Sequence, residues 1–173
     1  STPQLISSEI YRNSTYGTWH PFAIPRVSTV MDLASALGWL QPDGWVRSPR
    51  ARPNALAAWH TPEYIAAVQK AEKDGFVSDD VRARHNLGTH TNPVFGEMFR
   101  RPATAAGAAV WAGEYLRESG VVYSPAGGTH HGMPDCANGF CYFNDPVLAI
   151  LSLRAHGVRR IAYVDIDAHH PDG

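Results

Sequence analysis

The chain is poor in the features that mark secretion, membrane insertion or nucleic-acid capture. It has two cysteines, Cys136 and Cys141. That is too few for a disulfide framework, so a reducing, cytoplasmic compartment is the default expectation. No apolar run approaches the ~18 residues of a membrane span. The opening stretch STPQLISSEIYRNSTYG has no basic segment followed by an apolar one, so it does not read as a secretory leader. With Ser1 in the place of Met, a processed or trimmed terminus is expected. Charges nearly cancel, at 15 Lys+Arg against 16 Asp+Glu, and no long block of one sign occurs. This argues against nucleic acid or an anionic membrane as a direct partner. Internal repeats and low-complexity linkers are also missing.

What is present suits one globular domain with a real core: 173 residues, 44% hydrophobic and 18% charged. A short first strand is expected at 4–6. Val27, Val30, Met31, Ala34 and Leu37 recur at helical spacing and predict a helix over 27–38. Residues 41–54 hold three prolines and read as loop. Thr61, Pro62 and Gly75 cap, open and close a helix within 60–75. Residues 84–96 read as loop, and an Ala-rich helix is expected over 102–119. A short strand at 121–123 leads into a Gly-rich loop, 124–144. Asp145 is expected to cap a helix over 146–156. The run RRIAYVDID (159–167) has an unbroken apolar centre and predicts a buried parallel strand. Helix, strand, loop, helix and strand in this order argue for an α/β fold.

Nine histidines are many for this length, and four form two pairs, His130–His131 and His169–His170. In open α/β sheets ligands collect beyond the carboxyl ends of strands, where both pairs fall. Alternation along an extended strand puts Asp165, Asp167 and His169 on one face. Asp167 and His169 are then natural metal ligands, which zinc accepts at ~2.0–2.2 Å. Asp165 and Asp172 suit a different task, fixing the tautomer of a histidine. A lone Asp at a strand end is commonly a cap or loop anchor. Two at spacing two, followed by two histidines, point to a site, because buried carboxylates are costly unless paired or metal-bound. His20, His60, His85, His90 and His156 read as surface, loop or packing residues.

The segments GGTHHGMPDCANGFCYFNDPVLAIL (127–151) and YVDIDAHHPDG (163–173) resemble the histone deacetylase family. Its bacterial branches, the acetoin-utilisation proteins and acetylpolyamine amidohydrolases, are included. YGTWHPFAIPR (16–26), HTPEYIAAV (60–68) and LGTHTNPVF (87–95) match earlier landmarks in the same order. The resemblance implies an arginase/deacetylase-type fold, a three-layer α/β/α arrangement with a central parallel sheet, incomplete in this chain. It implies hydrolysis of an N-acetyl amide, acetyl-lysine or an acetylpolyamine, to amine and acetate. Asp167 and His169 would be two of three protein ligands to zinc, and His130 and His131 the catalytic pair. Asp165 would back His130, and Asp172 would back His131. Gly139 and Phe140 would line the channel for the acyl-amine stem. Asp165, Asp167 and the His169 carbonyl would also help hold a potassium ion. An Asp/His site alone leaves zinc, iron and cobalt open.

Three departures from the family's pattern stand out. Its third metal ligand and its oxyanion-stabilising tyrosine lie well downstream of DIDAHH, so residues 1–173 read as the N-terminal part of one catalytic domain. The missing C-terminal half, or a second copy, is then expected to complete strand 159–167 and the fold. Pro171 stands where relatives carry glycine, and fixes φ near −65°. It would misplace Asp172 if the loop needs a positive φ. Third, His90, Thr91 and Asn92 stand where many relatives place an acidic rim residue. Two alternatives remain: a non-catalytic acyl-amine binding or regulatory protein derived from a deacetylase, and an arginase-like manganese hydrolase. Manganese pairs need more carboxylates, in a pattern closer to DAHAD.

Overall fold

The computed structural model describes residues 3–13, 16–116 and 120–173. Its sheet has three strands, with β1 (Gln4–Ser7) between β2 (Val46–Arg47) and β3 (Val122–Tyr123), all parallel. Parallel neighbours require long crossovers, and helices fill them. The β1–β2 connection carries α1 (Ile10–Asn13) and α2 (Arg26–Ala36). The β2–β3 connection carries α3 (Pro53–Leu56), α4 (Pro62–Asp74), α5 (Asp79–His85) and α6 (Arg100–Tyr115), and α7 (Asp145–Ala155) follows β3.

Local chemistry explains most boundaries. Thr61 Oγ1 accepts the Tyr64 N–H at the start of α4, and Gly75 closes it at φ 76°. The start of α6 is capped from another helix: Glu72 Oε2 accepts the N–H groups of Phe99 (2.9 Å) and Arg100 (3.0 Å). That long-range cap lets α6 begin two residues before Pro102; the part of the expected helix at 117–119 lies outside the described residues. β2 and α3 occupy a stretch expected to be loop, both too short to show a period. The short α5 had no sequence signal strong enough to read, although Ser78 caps it. In α7 the cap is Asn144, whose Oδ1 accepts the Val147 N–H at 3.1 Å, rather than Asp145. Asp145 is turned inward.

Tyr64, Ile65 and Val68 of α4 pack with Leu56, Leu87, Met98, Tyr142, Phe143 and Leu148 in one apolar cluster. Gly113 lets α6 press onto α7, since a Cβ there would fall 2.5 Å from the Ser152 side chain. Ser152 Oγ donates to Val110 O at 2.8 Å across the same contact. The expected apolar stripe is only partly used: Met31 of α2 is buried, whereas Val30 and the capping residue Leu37 are exposed.

The expected buried strand over 159–167 is absent. Val164 and Ile166 are 79% and 95% exposed, and no described strand pairs with the segment. A groove of about 820 Å³ separates Tyr163, Val164 and Ile166 from Ala108, Ala112 and Ala149 of α6 and α7. Apolar composition sets a preference for a covered strand, but hydrogen-bonding neighbours decide whether it forms. The aspartates also compete locally. Asp165 Oδ1 accepts the Asp167 N–H (2.9 Å) and Asp167 Oδ1 accepts the His169 N–H (2.7 Å), which bends the chain in successive Asx turns.

His60 ties α4 to the Gly-rich loop. Its Nδ1–H donates to Met133 O at 2.9 Å, and its Nε2 accepts the Asn144 N–H at 3.0 Å. The ring is 1% exposed, and burial lowers its pKa from 6.5 to about 4. The folded state therefore binds the proton less readily than the unfolded state. This contribution is complete above pH 6.5 and is lost as pH falls towards about 4. The loss should reach about 3 kcal/mol. Urea midpoints followed from pH 7.5 down to about 4.5 should fall more steeply for the natural chain than for His60→Gln; parallel curves would refute the assignment.

Candidate active site

The Gly-rich loop 124–144 and the segment after residue 162 meet at the carboxyl end of β3. His130 is buried and His131 largely so, with ring centroids 4.2 Å apart. His130 Nδ1–H donates to Asp165 Oδ2 at 2.7 Å, and His131 Nδ1–H donates to Asp172 Oδ1 at 2.6 Å. Each histidine thus has its tautomer set by its own carboxylate and keeps Nε2 as an acceptor. Asp172 reaches His131 despite Pro171, so proline at that position does not pull the carboxylate away.

The carboxylates are held in turn by groups that sequence reading missed. Asp172 Oδ2 accepts from Asn138 Nδ2 at 3.0 Å. The Tyr163 hydroxyl donates to Asp165 Oδ2. Tyr163, His130 and the Asp167 N–H keep Asp165 well below the usual carboxylate range. The His131 hydrogen bond lowers Asp172 in the same sense, and the His169 N–H lowers Asp167. Charged carboxylates at neutral pH follow. Asn138 lies within segment 127–151, where no sequence feature singles it out. Tyr163 lies in the run whose apolar centre predicts a buried strand, which gives its hydroxyl no evident role.

Asp145, expected as a helix cap, instead supports the loop that carries His130. Its carboxylate accepts the N–H groups of Gly128 (3.0 Å) and Thr129 (2.7 Å), and the Thr129 hydroxyl lies against it. These donors immediately precede His130. Burial pushes the Asp145 pKa up, and the Thr129 and Gly128 donors oppose that shift.

Asp167 and His169 come together, with His169 Nδ1 2.9 Å from Asp167 Oδ1. Two donors bound to one zinc at ~2.0–2.2 Å and a tetrahedral angle lie roughly 3.4 Å apart. The pair is within about 0.5 Å of that spacing, and one hard oxygen beside one imidazole nitrogen suits the ion. His131 is the nearest ring to His169, at 6.1 Å between centroids, and His130 Nε2 is 4.0 Å from Asp167 Oδ1. No group of three or more metal-binding side chains occurs among the described residues. The residues fit two positions of a metal site.

Gly139 and Phe140 adopt φ 49° and 72°. A Cβ on Gly139 would fall 2.5 Å from His131 Cδ2, so glycine is what lets this turn lie against the ring. The Phe140 ring meets His20 edge-on at 4.4 Å and Phe22 at 5.4 Å. Asn92, expected at the rim, is fully buried beneath Phe140, while His90 and Thr91 face solvent. Both cysteines are free. No helix among the described residues is long and apolar enough to cross a membrane.

Comparison with known proteins gives a consistent answer. The histone deacetylase domain model matches residues 20–173. The chain is 32% identical over 172 residues to the acetoin utilization protein AcuC of Bacillus subtilis, covering 98% of this chain and 44% of that protein. It is 35% identical over 150 residues to histone deacetylase 8 of Xenopus tropicalis, covering 86% of this chain and 40% of the relative. The crystal structure of an HDAC homolog from Aquifex aeolicus superposes with a TM-score of 0.95 at 37% identity, over 100% of this chain and 46% of that one. The same holds for an HDAC homolog complexed with SAHA. The chain spans less than half the length of these relatives, and its small parallel sheet is an incomplete version of their arginase/deacetylase-type fold. On the match of residues 20–173, this chain belongs to the histone deacetylase family.

Proposed function

We propose that these residues form the N-terminal part of a zinc-dependent amidohydrolase that converts an N-acetylated amine, acetyl-lysine or an acetylpolyamine, to amine and acetate. The observation that carries this reading is the pair of charged-carboxylate–histidine hydrogen bonds, 2.7 and 2.6 Å, beside the Asp167–His169 donors. Asp167 and His169 would hold the metal, with a further ligand from outside the described residues. When bound, zinc would polarise the acetyl carbonyl and acidify a water. His131 Nε2, free because Nδ1–H is committed to Asp172, takes the proton of the attacking water. His131 then returns that proton to the leaving amine, and His130, whose Nδ1–H is committed to Asp165, assists electrostatically or in relaying that proton. Gly139 and Phe140 form one wall for the stem of the substrate. A potassium ion beside Asp165, Asp167 and the His169 carbonyl belongs to the same reading. It would share a carboxylate that already accepts from His130, Tyr163 and the Asp167 N–H.

The exposed apolar run at 161–166 supports a neighbour supplied by the C-terminal half of the domain or by a second copy. The cytoplasm suits the two free thiols.

The test is acetate release from an acetyl-lysine peptide and from acetylspermidine, by the longest polypeptide that carries these residues, with and without zinc. Zinc-dependent turnover of either substrate is expected. Tight binding of a hydroxamate without turnover would instead favour the non-catalytic acyl-amine binder.

A further inference from the structure

Residues Asn138 to Cys141 close a tight reciprocal turn. Asn138 N–H donates to Cys141 O at 3.1 Å, and Cys141 N–H donates to Asn138 O at 2.7 Å. The two central residues both have positive φ, 49° and 72°, which is type I′ geometry. Glycine suits the first position. The second is Phe140, whose side chain disfavours the left-handed region, so the surroundings must hold it there. One side chain is placed to do so. Asn92 is 0% exposed, and its Oδ1 accepts the Phe140 N–H at 3.1 Å. Its Nδ2 donates to Ala137 O (3.4 Å), just before the turn, and to Asn86 O (3.2 Å). Its own backbone is fixed as well: Asn92 N–H donates to Thr89 Oγ1 at 3.1 Å, and Asn92 O accepts the Gly88 N–H at 2.8 Å. A single buried amide thus uses its oxygen and both protons to join loop 86–92 to the turn that abuts His131.

We propose that Asn92 is a positioning residue that holds Phe140 in its left-handed conformation and thereby fixes the wall for the substrate's stem. The conformational claim stands on the geometry; its consequence for the stem rests on the deacetylase reading.

Amide hydrogen exchange tests the first claim without any metal. In Asn92→Leu, which keeps size but none of the hydrogen bonds, the Phe140 amide should exchange at least tenfold faster relative to amides of α4. Asn92→Asp keeps the acceptor and should keep that protection. Unchanged Phe140 protection in N92L overturns the proposal. If N92L does not fold, Asn92→Ser with and without Phe140→Gly carries the test, since glycine adopts this φ unaided. The fall in thermal midpoint caused by N92S should shrink at least twofold in the F140G background, and equal falls overturn the proposal. For the second claim, the zinc-loaded longest polypeptide is titrated with suberoylanilide hydroxamate and with acetohydroxamate, which has no stem. N92L should weaken the first tenfold more than the second. Equal losses would overturn the role of Asn92, whereas a natural chain that binds neither probe would count against the deacetylase reading.

Discussion

Replacing His131 by alanine should lower acetyl-amide hydrolysis by about 10²–10⁴-fold, the range set by a positioned acid or base, while leaving zinc content unchanged. The ring is fixed by a 2.6 Å hydrogen bond to Asp172, whose other oxygen is engaged by Asn138. Nδ1 carries the proton, so Nε2 is the only ring atom left to accept one. Asp172→Asn should also lower kcat strongly, because an amide can donate to Nδ1 and stabilise the wrong tautomer. Neither change touches the Asp167–His169 pair, so metal analysis should read the same zinc per chain in all three proteins. A His131→Ala enzyme within threefold of the natural rate would remove this histidine from the chemistry.

Asp145→Ala should be the most damaging change that leaves the histidines and metal donors in place. It strands the Gly128 and Thr129 N–H groups around a buried position. Each unsatisfied buried donor costs about 1–3 kcal/mol, so a total loss of about 3 kcal/mol in urea unfolding is expected. The stranded donors sit at the entrance to His130, so the loop should loosen before the rest of the fold. Hydrogen exchange at 128–132 should accelerate more than exchange in α4. Asp145→Asn retains one acceptor oxygen and should cost about half as much. A D145A protein within about 0.5 kcal/mol of the natural chain, the range of an ordinary surface change, would show that these hydrogen bonds contribute little.

Legibility in the sequence followed the range of the interactions. Helix α4 was readable because Thr61, Pro62 and Gly75 act within a few residues of the ends they set. The partners of His130 and His131 were readable through the family's motifs, although Asp165 and Asp172 lie 35 and 41 residues away. The Glu72 cap on α6 was not readable, because it acts across 27 residues with no repeated pattern. Asn92 looked like a loop residue and Asp145 like a cap, since both types are common there; burial and multiple donors give them their roles. The apolar run at 159–167 illustrates the opposite limit. Composition predicts a covered strand there, but pairing depends on a neighbour that composition cannot specify, and Val164 and Ile166 are exposed.

The central claim is that Asp167 and His169 hold a catalytic metal beside the two histidines. Zinc K-edge absorption on the longest polypeptide carrying these residues tests it most directly. The account predicts one zinc per chain with nitrogen and oxygen ligands at ~2.0–2.2 Å, and loss of that zinc in an Asp167→Ala, His169→Ala double variant that still folds. Zinc retained in the double variant with the same stoichiometry and ligand distances would contradict it.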